Sequence, residues 1–336
     1  MNIEWLKSSA KLDLHCHLDG SMSAETIEVL LKDESLEKNG EELSIEQIRQ
    51  RLQLSPDNKS LAQYLEKFDL PISCIQNEKG LELAAYDLLK NAEKENVRYI
   101  EVRFAPMISV NDNISTSQVI EAVLLGIKKA EAEFIIKGQV IVCAMRNFSL
   151  ESNIEMLKVA RNYLGEGVCA LDLAGDEAAY PTKEQVDLFL KAKSLEMPYT
   201  IHSGETGSVE NIKVAVELGA KRLGHGIALI KDNNLMKEVR DRRIGIEMCP
   251  TSNLQTKAVN SWSEYPLNTF LDQGLLVSIN TDNRTISNTT ITKEFIQINE
   301  KLGVNEDRIK KIIENSVDMS FADDNLKHNI LKLLKA

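Results

Sequence analysis

The chain has 336 residues, of which 43% are hydrophobic and 27% are charged, and its formal net charge is −11. This composition is typical of a globular protein that buries a sizeable core. Because no block or stripe of lysine and arginine stands out, the sequence argues against a surface for nucleic acid or anionic membrane.

Cysteine usage and hydropathy indicate the cellular setting. The five cysteines, at positions 16, 74, 143, 169 and 249, are scattered and include no C-x-x-C pair. An odd number of dispersed cysteines is typical of reduced thiols. The first residues lack the apolar core of a signal peptide, and no apolar run approaches 18 residues. We therefore expect a cytoplasmic protein that is neither exported nor membrane-spanning.

Short apolar runs alternate with longer amphipathic stretches along most of the chain. Such runs are typical of buried parallel strands, whereas residues 184–195, 209–218 and 235–240 have helical spacing. Eight strand-then-helix units predict an α/β protein with a closed (β/α)8 barrel. The predicted strands are Lys11–His15, Val97–Phe104, Gln139–Met145, Val168–Ala174, Tyr199–His202, Arg222–Gly224, Ile244–Glu247 and Leu276–Asn280.

Residues 23–96 interrupt this alternation, because they carry polar helical patterns and no convincing strand. Four apolar residues in this region recur at the i, i+3, i+4, i+7 spacing of one helix face: Leu61, Tyr64, Leu65 and Phe68. We interpret the region as a helical insertion after the first strand of a single domain spanning residues 1–336. The end of the chain, from about residue 293, is predicted to be helical and to serve packing.

Four of the five histidines lie at predicted strand ends, where barrel enzymes place their catalytic groups. His15 and His17 are two residues apart on one strand, so both side chains can point to one face and reach a single metal ion. His202 and His225 end two later strands, and Asp282 follows the last strand. Each residue alone has an ordinary structural interpretation, but together they favour a metal site at one rim.

The donor types indicate which metal ion to expect. Imidazoles with one carboxylate suit zinc, whose open coordination position holds a water with a pKa of about 7. Iron or cobalt are alternatives that the same ligands accept. The sequence therefore predicts one metal ion per chain, with zinc favoured.

From about Lys11 to Asn283 the chain resembles adenosine deaminases. Each shared motif is modest alone, but their order and spacing are specific. The matching stretches are residues 15–21 (HCHLDGS), 64–69 (YLEKFD), 99–106 (YIEVRFAP), 172–177 (DLAGDE), 202–205 (HSGE), 223–226 (LGHG), 248–253 (MCPTSN) and 280–283 (NTDN).

The resemblance implies a role for each residue of the predicted site. Glu205 would be the acid that protonates purine N1, and His225 would orient the attacking water and stabilise developing charge. His17 is also a candidate for contact with the substrate. The implied zinc ligands are His15, His17, His202 and Asp282.

Further positions would contact the nucleoside. The resemblance implies that the backbone N–H of Gly175 donates to purine N3 and that Asp19 contacts the ribose 5′-hydroxyl. The helix that covers the pocket would contribute Leu61, Tyr64, Leu65 and Phe68.

Asn283 departs from the family pattern, since many members have two consecutive aspartates where this chain has Asp282-Asn283. The second aspartate usually contacts purine N7. An asparagine amide donates a hydrogen bond directly, whereas an aspartate must first be protonated. We therefore interpret Asn283 as a tolerated variation that contacts N7.

The implied activity is hydrolytic deamination of adenosine and 2′-deoxyadenosine to inosine and deoxyinosine in purine salvage, with a small purine nucleoside as the partner. Deamination of adenine, adenosine monophosphate or aminodeoxyfutalosine remains an alternative, as does a catalytically silent metal-binding scaffold. A cytidine-type deaminase is disfavoured because no second cysteine follows Cys249-Pro250 at the required spacing. Two-metal relatives carry a lysine at the end of the fourth strand. That strand here reads CALDLAG over residues 169–175 and contains no lysine, so one metal ion is expected.

Overall fold

Eight parallel strands form the centre of the protein, seen in a computed structural model that describes residues 2–32, 43–54, 64 and 66–335. All eight predicted strands are present, and no strand end moves by more than two residues. The strands are β1 (Lys11–His17), β2 (Val97–Phe104), β3 (Lys137–Met145), β4 (Val168–Ala174), β5 (Thr200–Ser203), β6 (Arg222–His225), β7 (Gly245–Met248) and β8 (Leu276–Ile279).

The strands close into a barrel. They pair in sequence order as two four-stranded parallel sheets, β1 to β4 and β5 to β8. One parallel bridge, Leu171 with Tyr199, joins the first sheet to the second. At the other seam Cys16 bridges Asp282, and the His17 N–H donates to the Asp282 carbonyl at 2.7 Å. The predicted (β/α)8 barrel is therefore confirmed.

Helices surround the strands, and local sequence signals define their ends. Ser115 and Gln118 form a reciprocal capping box at the start of the long helix after β2. The helix after β5 ends at Gly219, whose φ of 92° is readily adopted only without a Cβ. The helices are α1 (Ile3–Ser8), α2 (Ala24–Leu31), α3 (Ile45–Leu52), α4 (Asp69–Cys74), α5 (Glu78–Glu93), α6 (Thr116–Glu133), α7 (Leu150–Arg161), α8 (Val186–Ser194), α9 (Val209–Leu218), α10 (Asn233–Asp241), α11 (Pro250–Gln255), α12 (Leu267–Asp272), α13 (Ile291–Leu302), α14 (Glu306–Met319) and α15 (Asp324–Lys335).

Between β1 and β2 the described residues form helices joined by turns and coil, with no strand. This region contributes α2 to α5 and two 3-10 turns, Asp19–Ser21 and Glu66–Phe68. Of the predicted apolar helix face, Tyr64 is buried and Phe68 is half-buried, whereas Leu61 and Leu65 lie outside the described residues. The division into one domain with an insertion at residues 23–96 stays a prediction.

Five charged side chains inside the barrel form one connected network beneath the rim. The Arg103 guanidinium lies 2.8 Å from Asp172 and 2.9 Å from Glu247. Arg222 pairs with Glu247 at 2.6 Å and with Glu101 at 2.5 Å. All five are fully buried. Buried charges are tolerated when they are mutually paired, so this network is a fixed polar floor for the site above it.

Two further findings concern membrane insertion and thiols. Within the described ranges, no helix has the length and apolar character needed to cross a bilayer. All five cysteines are buried and none is in a disulfide, as the sequence predicts for reduced thiols.

Candidate metal centre and active site

The predicted donor residues lie together at the carboxyl ends of the strands. His15 and His17 are on β1, and His202 and His225 are on β5 and β6. Asp282 comes shortly after β8 and pairs with β1 across the seam. Because the barrel is closed, first and last strands are neighbours, and residues more than 260 positions apart become adjacent.

The donor atoms approach one another closely. His17 Nε2 lies 3.3 Å from His202 Nε2 and 3.4 Å from Asp282 Oδ1. His15 Nε2 lies 3.4 Å from the same carboxylate oxygen and is buried without a hydrogen-bond partner. One donor atom each from His15, His202, His225 and Asp282 lie within 4.8 Å of one another. An unpartnered imidazole nitrogen facing other nitrogen and oxygen donors fits a metal ion.

Two of these donors lie on left-handed backbone. The φ of His225 is 62° and that of Asp282 is 60°. This conformation costs a non-glycine residue about 1–3 kcal/mol and persists only where the surroundings enforce it. The strained backbone at the end of β6 and just after β8 therefore fixes the directions of two donors.

Buried carboxylates hold two of the histidine rings from behind. His15 Nδ1 lies 2.8 Å from Glu247, and His202 Nδ1 lies 2.8 Å from Asp172. Such partners set the tautomer and orientation of metal-binding histidines. We did not predict these two acids from the sequence. The available signal was an acidic residue inside an otherwise apolar strand, because a buried carboxylate needs a charged or hydrogen-bonding partner.

The surroundings of the two β1 histidines and of Asp282 favour the protonation states that bind a metal ion. Burial, helped by the nearby Arg103, lowers the pKa of His15 to about 4. Burial also lowers the pKa of His17 well below its usual range. Burial alone would raise the pKa of Asp282, but the adjacent imidazoles of His15, His17 and His225 hold it well below the usual value. Neutral imidazoles with an ionised carboxylate are what metal binding requires.

His202 is tuned in the opposite direction. Burial alone would lower its pKa, but the Asp172 carboxylate outweighs burial and raises it. A proton and a metal ion therefore compete for this imidazole at lower pH.

Glu205 follows β5 and lies beside the donor cluster without joining it. Its Oε2 is 3.5 Å from His225 Nε2, and its Oε1 accepts a hydrogen bond from Thr256 at 3.1 Å. The side chain is mostly buried, with 17% of its surface exposed. The structure therefore brings Glu205 next to His225, and its role as a proton donor stays a prediction.

A second acid fixes the loop that carries Glu205. The buried Glu177 carboxylate accepts the backbone N–H of Gly204 at 2.5 Å and that of Thr206 at 3.0 Å. It therefore clamps the residues on both sides of Glu205. Glu177 is the last residue of the DLAGDE motif, but the sequence does not show that its side chain points to the loop carrying Glu205.

The predicted substrate contacts are near the rim. Asp19 is part of the turn after β1, and burial raises its pKa to about 6. Gly175 follows β4 with a φ of 104°. The Asn283 amide donates to the Tyr64 hydroxyl at 2.7 Å, and the ring of Tyr64 lies 6.0 Å from that of Phe68.

The sequence matches a family model over nearly its whole length. The model described as adenosine deaminase covers residues 10–336. The chain is 38% identical over 321 residues to an adenosine deaminase of Clostridium perfringens, covering 95% of this chain and 96% of the relative. It is 40% identical over 328 residues to an adenosine deaminase of Clostridium botulinum, covering 97% of each.

Solved structures of deaminases and amidohydrolases share the fold at low sequence identity. An adenine deaminase from Arthrobacter aurescens has a TM-score of 0.87 at 22% identity, covering 97% of this chain and 98% of its own. An N6-methyl-AMP deaminase from Arabidopsis thaliana has the same score and identity, with 99% and 98% covered. A Burkholderia ambifaria amidohydrolase with bound zinc has a TM-score of 0.87 at 19% identity, with 99% and 93% covered.

Fold and site together define a (β/α)8-barrel protein whose rim carries a histidine and aspartate cluster fit for a metal ion. The chain belongs to the adenosine deaminase family. The resemblance described from the sequence is thereby confirmed.

Proposed function

We propose that the protein uses zinc to deaminate adenosine and 2′-deoxyadenosine by hydrolysis, releasing ammonia with inosine or deoxyinosine, in cytoplasmic purine salvage. The observation that carries the proposal is the position of Glu205, whose carboxylate lies 3.5 Å from His225 Nε2 beside the donor cluster. The names of the two Clostridium relatives support adenosine as the substrate.

One zinc ion fits the cluster. The resemblance implies His15, His17, His202 and Asp282 as its ligands, and their close donor atoms and the unpartnered His15 Nε2 support this set. Zinc would supply a nucleophile from water at neutral pH.

Glu205 and His225 would provide general acid catalysis and hydrogen bonding for the reaction. C6 of adenine is a weak electrophile, because attack there disrupts an aromatic ring. Protonation of N1 by Glu205 as water adds to C6 keeps negative charge from building up in the ring. His225, 3.5 Å from that carboxylate, would orient the water and stabilise developing charge. Transfer of a proton to the amino group then releases ammonia.

The remaining contacts would select a nucleoside. Asn283 would donate a hydrogen bond to purine N7, and the backbone N–H of Gly175 would donate one to purine N3. The apolar residues that would cover the base are Leu61, Tyr64, Leu65 and Phe68. Asp19 would hold the ribose 5′-hydroxyl. Since burial raises its pKa only to about 6, Asp19 is mostly ionised at neutral pH and would repel a 5′-phosphate. This charge favours adenosine over its monophosphate.

A substrate panel tests the proposal. We expect the zinc-loaded protein to show its highest kcat/KM, from the absorbance decrease at 265 nm, with adenosine and deoxyadenosine. The panel also contains adenine, adenosine monophosphate and aminodeoxyfutalosine. Turnover should stop after chelation and return with zinc. A clear preference for another aminopurine would show that adenosine is not the substrate. If no member of the panel is turned over, the protein is a catalytically silent metal-binding scaffold.

A further inference from the structure

The chemistry behind each histidine ring differs across the donor cluster. Behind His15 and His202, Nδ1 faces the carboxylates of Glu247 and Asp172, each at 2.8 Å. A carboxylate only accepts hydrogen bonds, so the hydrogen bond between Glu247 and His15 places the proton of that ring on Nδ1. Nε2 of a neutral ring then keeps its lone pair for a metal ion.

His225 has a different partner at the same position. Its Nδ1 lies 3.0 Å from the side-chain amide nitrogen of Asn253. The amide oxygen of Asn253 in turn accepts a hydrogen bond from the Tyr265 hydroxyl at 3.1 Å. All three side chains are buried, so water does not compete for these contacts. An amide N–H that donates to Nδ1 leaves the proton of a neutral ring on Nε2.

We propose that Asn253 is a positioning residue that holds His225 as the Nε2–H tautomer and thereby keeps it out of the metal ligand set. This inference rests on the proposed function. Distance alone does not separate His225 from the ligands, because its donor atom lies within 4.8 Å of those of His15, His202 and Asp282. The amide separates them, since a nitrogen that carries a proton cannot bind a metal.

The same tautomer makes His225 a hydrogen-bond donor toward the reaction. Its Nε2 faces Glu205 Oε2 at 3.5 Å, on the side where the resemblance places purine N1. A neutral Nε2–H donates to the attacking water and to charge that develops on its oxygen. Asn253 is thus a positioning residue that acts through His225.

Nuclear magnetic resonance tests the tautomer directly in the wild-type protein. In long-range ¹H–¹⁵N spectra of protein labelled with ¹⁵N-histidine, we expect the His225 signals to show a protonated Nε2 and an unprotonated Nδ1, before and after zinc loading. The signals are assigned by their loss in His225→Gln. A protonated Nδ1 with a zinc-shifted Nε2 would overturn the proposal, because the amide would then be reversed and Tyr265 would accept from it.

Asn253→Asp provides the matched change, since it replaces the donor with an acceptor of the same shape. We expect the Nδ1–H tautomer, a changed visible spectrum of the cobalt-substituted protein as His225 joins the metal, and a loss in kcat of about 10²-fold with little change in KM. Tyr265→Phe, which leaves the amide in contact with His225, should keep the wild-type tautomer and cobalt spectrum.

Retention of the wild-type tautomer and kcat in Asn253→Asp would contradict the proposal. The outcome is separable from that of the substrate panel. If His225 shows the expected tautomer and no aminopurine is deaminated, the proposed function fails while the role of Asn253 toward His225 stands.

Discussion

Glu205 is the side chain on which the proposed proton transfer depends. Glu205→Gln removes the acidic proton but keeps the shape and the oxygen that accepts from Thr256. Because general acid catalysis contributes about 10²- to 10⁴-fold, we expect kcat for adenosine to fall by that factor while one zinc per chain is retained. Kinetics and metal analysis check this. Glu210→Gln, an exposed site in α9, is the control. Near-normal turnover by Glu205→Gln would remove the mechanism.

Asn283 is the position where the chain departs from its family. Asn283→Asp should keep measurable deamination, because a carboxylate of the same shape can accept from the Tyr64 hydroxyl that Asn283 now contacts. The packing is tight, since a Cβ added at Gly20 would lie 1.8 Å from Asn283 Oδ1. Gly20→Ala should therefore displace residue 283 and lower kcat/KM. Complete loss of turnover in Asn283→Asp with zinc retained would contradict the proposed tolerance.

The sequence was most informative about residues whose placement depends only on strand ends. His15, His17, His202, His225 and Asp282 could be grouped because parallel strands in a closed barrel present their carboxyl ends at one rim. The partners behind the rings could not be assigned in this way. Which side chain lies behind which ring depends on the strand register and on turn conformations such as the φ of 62° at His225.

At the scale of elements, the loop after β5 positions Glu205 beside the metal-binding cluster. Glu177 clamps the N–H groups of Gly204 and Thr206 on either side of Glu205. Glu177→Gln exchanges one acceptor for a donor, so one of these N–H groups loses its partner. Since a displacement of about 1 Å can cost about 10²-fold, we expect a loss in kcat of that order with KM little changed.

The control for Glu177 is Glu184→Gln, which removes the same charge from an exposed position of the neighbouring 3-10 turn. It should leave kcat and KM unchanged. Unaltered kcat in Glu177→Gln, or a change confined to KM, would show that the clamp does not position Glu205.

Apolar patterning predicted the eight strands well because buried parallel strands are apolar on both faces. The four-residue β6 was readable only with its neighbours, since Arg222-Leu-Gly-His carries one large apolar residue. The end of β1 differed from the prediction because the strand runs on through the polar donor His17. Seam pairing between Cys16 and Asp282 could not be predicted, because it depends on how the whole barrel closes.

For the whole molecule, the buried Glu294 of α13 gives a pH-dependent term in stability. It accepts hydrogen bonds from the Thr251 N–H and the Thr289 hydroxyl, and burial raises its pKa to about 7. An unfolded glutamate titrates near pH 4.3, so between these values the folded state binds more protons than the unfolded state. The free energy of unfolding therefore loses this contribution as pH rises through that window.

Glu294→Gln mimics the protonated acid at every pH. Relative to wild type, its free energy of unfolding should rise by up to about 3 kcal/mol between pH 4 and pH 8. Denaturant unfolding of both proteins at matched zinc and a series of pH values measures the difference. Glu300→Gln, exposed on the same helix, should show no such trend. A difference that does not vary with pH would show that burial does not raise the pKa of Glu294 in the folded protein.

The central claim is that distant parts of the chain hold one zinc ion at the rim of the barrel. Anomalous diffraction at the zinc edge from crystals of the zinc-loaded protein tests it most directly. We predict one peak per chain, about 2.0–2.2 Å from donor atoms of His15, His17, His202 and Asp282, with His225 outside bonding distance. A peak elsewhere, a peak bonded to His225, or no peak after zinc loading would contradict the account.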